Sequence, residues 1–465
     1  MVVHHNMTTH KLPPEVEHIF RVFQKAEFEI YAVGGCVRDL ITGRQVRDWD
    51  FTTNATPEEI LNLFPGGFYD NLFGTVGIQQ ENGEIYEVTT YRTEGGYSDR
   101  RHPDVVKWGK TLEEDLARRD FTINAVALEL ATNDPASPAG GQRPTTIIDH
   151  YGGQKDIGSK LIRAVGDPQE RFAEDALRLL RAVRIATELG FLIEEKTFQA
   201  IKDNAVLIKR IAGERIKTEL FKILASDFPF EGFTLLRSSG LLAEILPEVD
   251  EGFSVPQKSP GRHHIYDVGT HSLLSLKHCP SKDSLVRFAT FLHDVGKPAV
   301  FKKDEKGVTT FYNHEIIGAS IVRNIAERLA FSKKDREKFV ALVRWHQFTV
   351  DELQTDSAIR RFIRRVGPEN LKDIFDLRVG DRLGGGCVTA TSWRLRKFMD
   401  RVIEVQKHTP SVEDLKVNGH DVMKELGTGP GPKVGEILNL LFTEITDDPT
   451  KNNREHLLER IKSFK

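Results

Sequence analysis

Strand signals in this chain become scarce beyond about residue 151 and helical periodicity dominates, so the expected fold joins an α+β head to a long helical remainder. Within the head, residues 12 to 27 carry Val16, Ile19, Phe20 and Phe23 at three- and four-residue spacings, which predicts an amphipathic helix. Strand-like Ile30-Tyr31-Ala32-Val33 runs into Gly34-Gly35; Val37 to Ile41 predicts a short helix and Trp49 to Thr53 a strand. Thr56 is the expected cap of the next helix, with Pro57 in its first turn. Thr75 to Gln79 and Ile85 to Tyr91 predict two further strands, joined by the turn Glu81-Asn82-Gly83-Glu84. The stretch Asn133 to Thr146 is rich in turn formers and reads as a surface insertion. Loop-like boundaries fall at Ser254 to Arg262 and at Leu426 to Lys433, the latter before a last pair of helices.

Chemistry concentrates just after the glycine pair. Residues i and i+2 of an extended strand share a face, so Asp48 and Asp50 can converge on divalent cations. A cation pair about 3.5–4 Å apart can activate an attacking hydroxyl and stabilise a leaving pyrophosphate. Glycines let backbone approach a triphosphate closely. An Asp-x-Asp on a solvated turn means nothing of the kind; here it follows Gly34-Gly35-Cys36-Val37-Arg38-Asp39, and that setting points to metal-assisted nucleotidyl transfer. Arg118-Arg119-Asp120-Phe121-Thr122-Ile123-Asn124-Ala125 offers forked donors for phosphate and polar groups for ribose, although a salt-bridged helix start accounts for it equally. Arg171 to Arg184 predicts one helix on which Asp175, Arg178 and Arg181 lie on adjoining sectors of one side. Two readings stand: an internal ion pair, or a carboxylate and guanidinium reading the shared donor–acceptor edge of cytosine and adenine.

Composition narrows the classes. The 465 residues, 39% hydrophobic and 29% charged, suit several ordinary soluble domains, and a net charge of −3 confines any nucleic-acid surface to a local patch. Cys36, Cys279 and Cys387 are widely separated and suit a reducing cytosol rather than disulfides or a thiolate zinc site. Met1 to His10 does not read as a secretory signal and no run approaches a membrane span, so a cytoplasmic location is expected.

In this order, the glycine turn through Asp39, the Asp48/Asp50 pair, Arg118 to Ala125, Glu174-Asp175-x-x-Arg178 and Gly213-Glu214-Arg215-x-x-x-Glu219-Leu220 resemble the class II tRNA nucleotidyltransferases, the CCA-adding enzymes. The resemblance is tight over residues 30 to 222 and looser beyond. It implies an α+β nucleotidyltransferase head with a small mixed sheet at 1–150, an all-α neck at 151–230, a helical body at 231–410 and a tRNA-binding tail at 411–465. It further implies Asp48 and Asp50 as Mg2+ ligands, with Gly35 and Arg38 as triphosphate contacts and Glu87 as a third acid. Arg118, Arg119, Asp120 and Asn124 become a phosphate and ribose clamp. Asp175 and Arg178 become the protein template that selects CTP or ATP, with Arg181 and Arg184 in support.

The polar segment Tyr91 to Pro103 resembles the family's flexible loop at full length, which disfavours a CC-only enzyme and leaves full CCA addition and A-only addition both open. Poly(A)-making relatives carry a basic, histidine-containing segment where this chain has Val76 to Glu81, which disfavours that activity.

A second cluster comprises His271, His293, Asp294, His314, His346 and Asp381, a mixed imidazole and carboxylate donor set. Its order resembles an HD phosphohydrolase domain at about 262–385. The core ligands would be His271, His293, Asp294 and Asp381, with His314 and His346 for a second metal and nickel, manganese, iron or cobalt as candidates. In some relatives such a domain hydrolyses phosphate esters or 2′,3′-cyclic phosphates and in others it is only a scaffold; both readings stand, including phosphohydrolysis as the main activity. Ile359 to Arg365 and Trp393 to Lys397 are basic patches suited to RNA phosphates or to solvated helix faces. The implied partners are CTP, ATP and the acceptor and TΨC arms of tRNA, engaged by a monomer or homodimer.

Overall fold

The computed structural model describes residues 6–8, 11–69, 74–80, 83–95, 105–131, 144–257, 266–305, 307–351, 354–407 and 412–464. Glu81 and Asn82 of the expected turn, 96–103 of the polar loop, most of the 133–146 insertion and 258–262 of the expected boundary lie outside them. Two compact units divide the chain, Met1–Ile245 and Leu246–Lys465.

Up to Asp149 the described residues of the first unit form ten strands: β1 (Asn6–Thr8), β2 (Ile30–Val33), β3 (Asp50–Thr53), β4 (Phe68–Tyr69), β5 (Thr75–Gln79), β6 (Ile85–Thr90), β7 (Arg92–Gly95), β8 (Val105–Trp108), β9 (Val126–Leu130) and β10 (Thr145–Asp149). Eight form one mixed sheet in the order β1-β10-β9-β2-β3-β6-β5-β4, while β7 and β8 pair separately. Within the large sheet only β3 and β6 run parallel; the other neighbours are antiparallel. The amphipathic segment becomes the Pro14–Lys25 helix, and its Val16, Ile19, Phe20 and Phe23 are fully buried. Phe20 meets Phe51 of β3 edge-on, ring centroids 5.6 Å apart, in a core shared with Val76, Val88 and Leu128. Thr56 caps the Pro57–Leu63 helix in a reciprocal capping box with Glu59.

Beyond the sheet the chain is mostly helical, but a short β pair persists in the neck: Leu161–Ile162 runs parallel to Leu192–Ile193, so the expected all-α neck is not purely helical. Residues 171–184 do not form one helix either. Pro168–Glu174 and Leu177–Leu189 are separate helices, because Asp175 adopts an extended conformation (φ −132°, ψ 106°) and its carboxylate accepts from the Leu177 amide at 2.9 Å. A side chain that satisfies an orphan amide of the next helix stabilises that break.

The second unit is helical apart from a short antiparallel pair, Lys302–Lys303 with Thr309–Thr310. Val268–His278, Ser284–Leu292, His314–Arg328, Lys333–Trp345 and Leu371–Gly384 surround the histidine cluster. Close approach of the first and last of these depends on Gly384: a Cβ there would collide with the backbone and hydroxyl of Ser275. Three C-terminal helices, Gly419–Leu426, Pro432–Asp447 and Arg454–Lys462, enclose a small core of Val422, Leu441, Ile445 and Leu457. No helix among the described residues is long and apolar enough to cross a membrane.

Because Phe20 fills the space between its helix and β3, Phe20→Ala should cost about 3–5 kcal/mol. We expect the opening free energy of the β2 and β3 amides, measured by native-state hydrogen exchange, to fall by that amount. A fall below about 0.5 kcal/mol would show that the ring does not support the sheet.

Candidate active site

Alternation along the chain aims the acidic pair. Trp49 and Phe51 are both buried and their rings stack with centroids 6.4 Å apart, which leaves Asp48 and Asp50 exposed on the opposite side. The strand starts at Asp50, so Asp48 precedes it rather than belonging to it. Asp50 is in register with Glu87 across the parallel β3–β6 pair, which puts these two acids on one face. Among the described residues neither Asp48 nor Asp50 has a hydrogen-bond or ion-pair partner for its carboxylate. Asp50 is exposed at its surface yet closely surrounded. Desolvation therefore raises its pKa above the ordinary range, Asp48 adds to the rise, and Arg119 and Arg181 oppose it. Unpartnered hard oxygens turned to one side are a fitting donor set for magnesium.

The glycine turn abuts this pair. Gly34 has φ +83°, and a Cβ there would stand 3.1 Å from Nη1 of Arg119 and 3.8 Å from Oδ2 of Asp50. Conformation thus favours glycine here, and a Cβ would press on the tip of Arg119. The Gly35–Thr42 helix that follows has no side-chain cap and no acid in its first turn, so its leading amides suit an anion.

A second layer holds the cations in place. The fully buried Asp115 accepts from Arg118 Nε at 3.0 Å and from Arg119 Nη2 at 3.2 Å. Asp120 accepts from Arg181 through Nε (2.9 Å) and Nη2 (2.6 Å), and from the Asn124 amide (3.0 Å). Asn124 in turn accepts from Arg38 Nη1 at 2.8 Å, and Arg38 pairs with Asp39. Burial would raise both buried carboxyls; for Asp115 the two arginines outweigh it, and for Asp120 Arg181 and Asn124 do, so both lie below the usual carboxylate range.

Gly35, Arg38, Asp48, Asp50, Asn124, Arg181 and Arg184 share one cavity of about 950 Å3. Asp120 lies immediately behind it, joined to Asn124 and Arg181. Arg118, Arg119, Asp175 and Arg178 do not line it. Arg178 is nearly buried and pairs with Glu174 (2.6 Å), while its Nη2 donates to the Arg118 carbonyl at 3.0 Å. The Asp175 carboxylate stands 3.8 Å from Arg215. The internal Asp175–Arg178 ion pair entertained from the sequence does not form, because the helix break turns Asp175 toward the Leu177 amide. Arg184 is committed to Glu219 and Glu188.

Sequence reasoning assigned no role to Asp115, Glu174 or Glu219. Asp115 and Glu174 were visible as carboxylates three or four residues before the arginines they hold, the spacing of helical neighbours. Glu219, 35 residues from Arg184, had no local signal.

In the second unit His271, His293, Asp294, His314, His346 and Asp381 do come together. His293, His314 and His346 each donate Nδ1–H to a backbone carbonyl, of Thr290, Phe311 and Val343 at 2.7–2.8 Å. A carbonyl can only accept, so Nε2 of each ring is the atom turned to the cluster. Asp294 divides its oxygens: Oδ2 lies 3.3 Å from His271 and 3.2 Å from His293, and Oδ1 lies 3.4 Å from His314 and 3.6 Å from His346. Asp381 reaches His271 at 3.2 Å. His271, His293 and Asp381 form one group able to hold a metal ion, and His293, Asp294 and His346 another. A cavity of about 700 Å3 reaches this cluster, with Lys297, Arg378 and Arg382 on its walls.

The basic patch on the Asp356–Val366 helix is partly consumed internally. Arg360 Nε donates to the Thr446 carbonyl at 2.8 Å and Arg364 Nη1 to the Thr443 carbonyl at 3.5 Å, so these two arginines satisfy the end of the Pro432–Asp447 helix. Arg365 lies over the ring of Trp345.

The depressed carboxyls carry a pH signature. A lowered folded pKa contributes stability above the unfolded value of about 3.9 and loses it as pH falls toward the folded value. With Arg181 about one-third exposed, Asp120→Asn should cost only about 1–2 kcal/mol near neutrality. The gap between the native chain and the variant in urea unfolding should hold steady above about pH 5 and narrow as pH falls below about 4. A gap that stayed constant would mean that the Asp120 charge is not what binds Arg181.

Four family profiles match the chain in succession: a poly(A) polymerase head domain over residues 30–163, an RNA- and SrmB-binding site of polymerase A over 190–253, an HD domain over 262–378, and tRNA nucleotidyltransferase domain 2 over 395–461. The CCA-adding enzyme of Lactobacillus helveticus is 45% identical over 228 residues, 49% of this chain and 54% of that protein, so this match spans about half the length of that curated relative. The CCA-adding enzyme of Ligilactobacillus salivarius is 31% identical over 470 residues, 98% of this chain and 99% of the other. Among solved structures, the Bacillus stearothermophilus CCA-adding enzyme in complex with CTP matches at 25% identity and a TM-score of 0.66, covering 97% of this chain and 98% of that one. With a relative 31% identical over 98% of this chain and 99% of its own length, the chain belongs to the CCA-adding enzymes, the tRNA nucleotidyltransferases.

Proposed function

We propose that the first unit adds CMP and AMP from CTP and ATP to the 3′ end of tRNA, completing or repairing its CCA terminus. The observation that carries this reading is the unpartnered Asp48/Asp50 pair, set against an uncapped helix start and a fixed arginine. Magnesium bound by the two carboxylates supplies positive charge for deprotonating the terminal ribose hydroxyl and for the departing pyrophosphate.

The chain's own groups do the rest. Gly35 and Arg38 receive the triphosphate. Arg119, with Arg118 beside it, meets phosphate, and its guanidinium is already oriented by Asp115, so little ordering is needed on binding. Asp120 and Asn124 hold Arg181 and Arg38 at the ribose side, and Arg184 supports the incoming base. Glu87, beside Asp50, is the third acid. The hydroxyl oxygen bonds to the α-phosphorus as the bond to the β-phosphate oxygen breaks, and its proton leaves to the solvent that reaches the exposed Asp48 and Glu87. Asp175 and Arg178 judge the base. To do so Arg178 exchanges its Glu174 partner for the base edge, where a carboxylate and a guanidinium match cytosine and adenine and mismatch uracil and guanine.

In this reading residues 1–150 are the catalytic head, 151–230 the neck, 231–410 the body with its HD-like segment at about 262–385, and 411–465 a tail that contacts tRNA. The protein acts in the cytoplasm as a monomer or homodimer.

Asp48→Asn or Asp50→Asn should lower nucleotide transfer by at least about 10²-fold while tRNA binding persists; substantial remaining turnover would refute the metal assignment. tRNA transcripts ending before CCA, after C and after CC, each incubated with magnesium and single nucleotides, separate full addition from A-only addition. We expect CTP to extend the first two and ATP the third.

A second reading rests on the division of Asp294 between two imidazole pairs. We propose that the HD-like cluster holds a transition metal, nickel, manganese, iron or cobalt, and that it hydrolyses phosphate esters. Elemental analysis of the purified chain should find about one to two equivalents of such a metal. His293→Ala should remove both the metal and the hydrolysis of 2′,3′-cyclic nucleotides, and leave nucleotide addition undiminished. A metal-free native chain with full fold would reduce the cluster to a scaffold.

A further inference from the structure

Six cationic side chains line the cavity that contains Asp48 and Asp50, and they divide into two groups. Arg38, Arg181 and Arg184 are committed to Asp39, Asp120 and the Glu219/Glu188 pair. Arg44, Arg47 and Lys222 are exposed and, among the described residues, have no hydrogen-bond or ion-pair partner for their side chains. Their backbones are nonetheless well placed. Gly43 ends the Gly35–Thr42 helix in a left-handed conformation (φ +70°), and the Arg44 amide donates to the Asp39 carbonyl at 2.8 Å. Arg47 immediately precedes Asp48. Lys222 stands one turn beyond Glu219 on the Gly213–Ala225 helix, on the face that Glu219 turns to Arg184. Exposed cations of this kind are hydrated rather than committed within the chain, and their field favours an incoming polyanion.

The reaction brings two polyanions to this cavity, a triphosphate and an RNA strand, and in the proposed reading the uncapped helix start and Arg38 provide for the triphosphate. Resting on the proposed nucleotidyl transfer, we propose that Arg44, Arg47 and Lys222 form a track for the last phosphodiesters of the tRNA acceptor strand. They act as positioning residues that bring the 3′ hydroxyl to the Asp48/Asp50 pair. Phosphate contacts of this kind fix register without reading sequence, which suits a strand whose end changes with each addition.

The test uses the full chain and a tRNA transcript ending before CCA. In Arg44→Ala/Arg47→Ala and in Lys222→Ala, KM and Kd for the transcript should rise by about 10-fold or more, and the slope of log Kd against log salt should flatten by about 0.7 to 0.9 for each phosphate no longer engaged. KM for CTP should stay within about two-fold of the native chain. Arg44→Lys/Arg47→Lys should restore most of the transcript affinity, which a loss of folding would not permit. A raised KM for CTP with unchanged transcript binding would overturn the proposal and place these cations on the nucleotide. So would transcript binding and salt slope equal to those of the native chain. Transfer by the native chain is scored separately: if it fails, the catalytic reading falls, while the binding and salt measurements still decide whether this track grips RNA.

Discussion

The Asp120–Arg181 contact is the interaction on which the first unit's cavity depends. Asp120 belongs to the turn after the Leu112–Ala117 helix, and Arg181 to the Leu177–Leu189 helix, 61 residues further along. One carboxylate oxygen accepts two donors from the guanidinium while the other accepts from Asn124, which passes the connection to Arg38 and so to the glycine turn. Each group in this relay has its charge or amide satisfied by the next, which is the condition for keeping polar side chains in a buried layer. The arrangement holds the cationic wall of the cavity at a fixed distance from the sheet that carries the acids.

The same logic explains why the acids themselves are left alone. Asp115, Asp39, Asp120 and Glu219 direct their charge to neighbouring arginines, whereas Asp48 and Asp50 have no such partner among the described residues. Acids committed to arginine on one side and the exposed, unpaired Asp48 and Asp50 on the other are the contrast on which the proposed magnesium site rests. In the second unit the histidines follow a related rule. Backbone carbonyls fix the Nδ1 side of three rings, so their Nε2 atoms point to Asp294 without any further side chain to orient them.

Legibility from sequence depended on how local the physical cause was. The Pro14–Lys25 helix, the Thr56 cap and the strand alternation at Trp49 and Phe51 each arise within a few residues, and each was readable. The helix break at Asp175 was not, since a run of good helix formers gives no sign that an aspartate will cap the next segment instead of continuing its own. Arg360 and Arg364 looked like an RNA surface; the carbonyls they satisfy lie 86 and 79 residues away. The cluster of His271, His293, Asp294, His314, His346 and Asp381 was legible as an ordered set, but only the packing of five helices could show that Asp294 stands between two groups of imidazoles.

Sequence alone therefore determined the chemistry available: a glycine turn followed by paired acids, an arginine-rich turn, a second set of imidazoles and carboxylates, and a change from sheet to helix near residue 151. These are local patterns, written in spacing and side-chain type. Tertiary structure alone decided which of those groups remain free to act, because a charge is neutralised or left open by partners far along the chain. Arg38 and Arg184 have local acids in Asp39 and Glu188, but Arg181 is committed only through Asp120, 61 residues away, and Arg184 is completed by Glu219, 35 residues away, whereas Arg44, Arg47 and Lys222 meet no acid among the described residues.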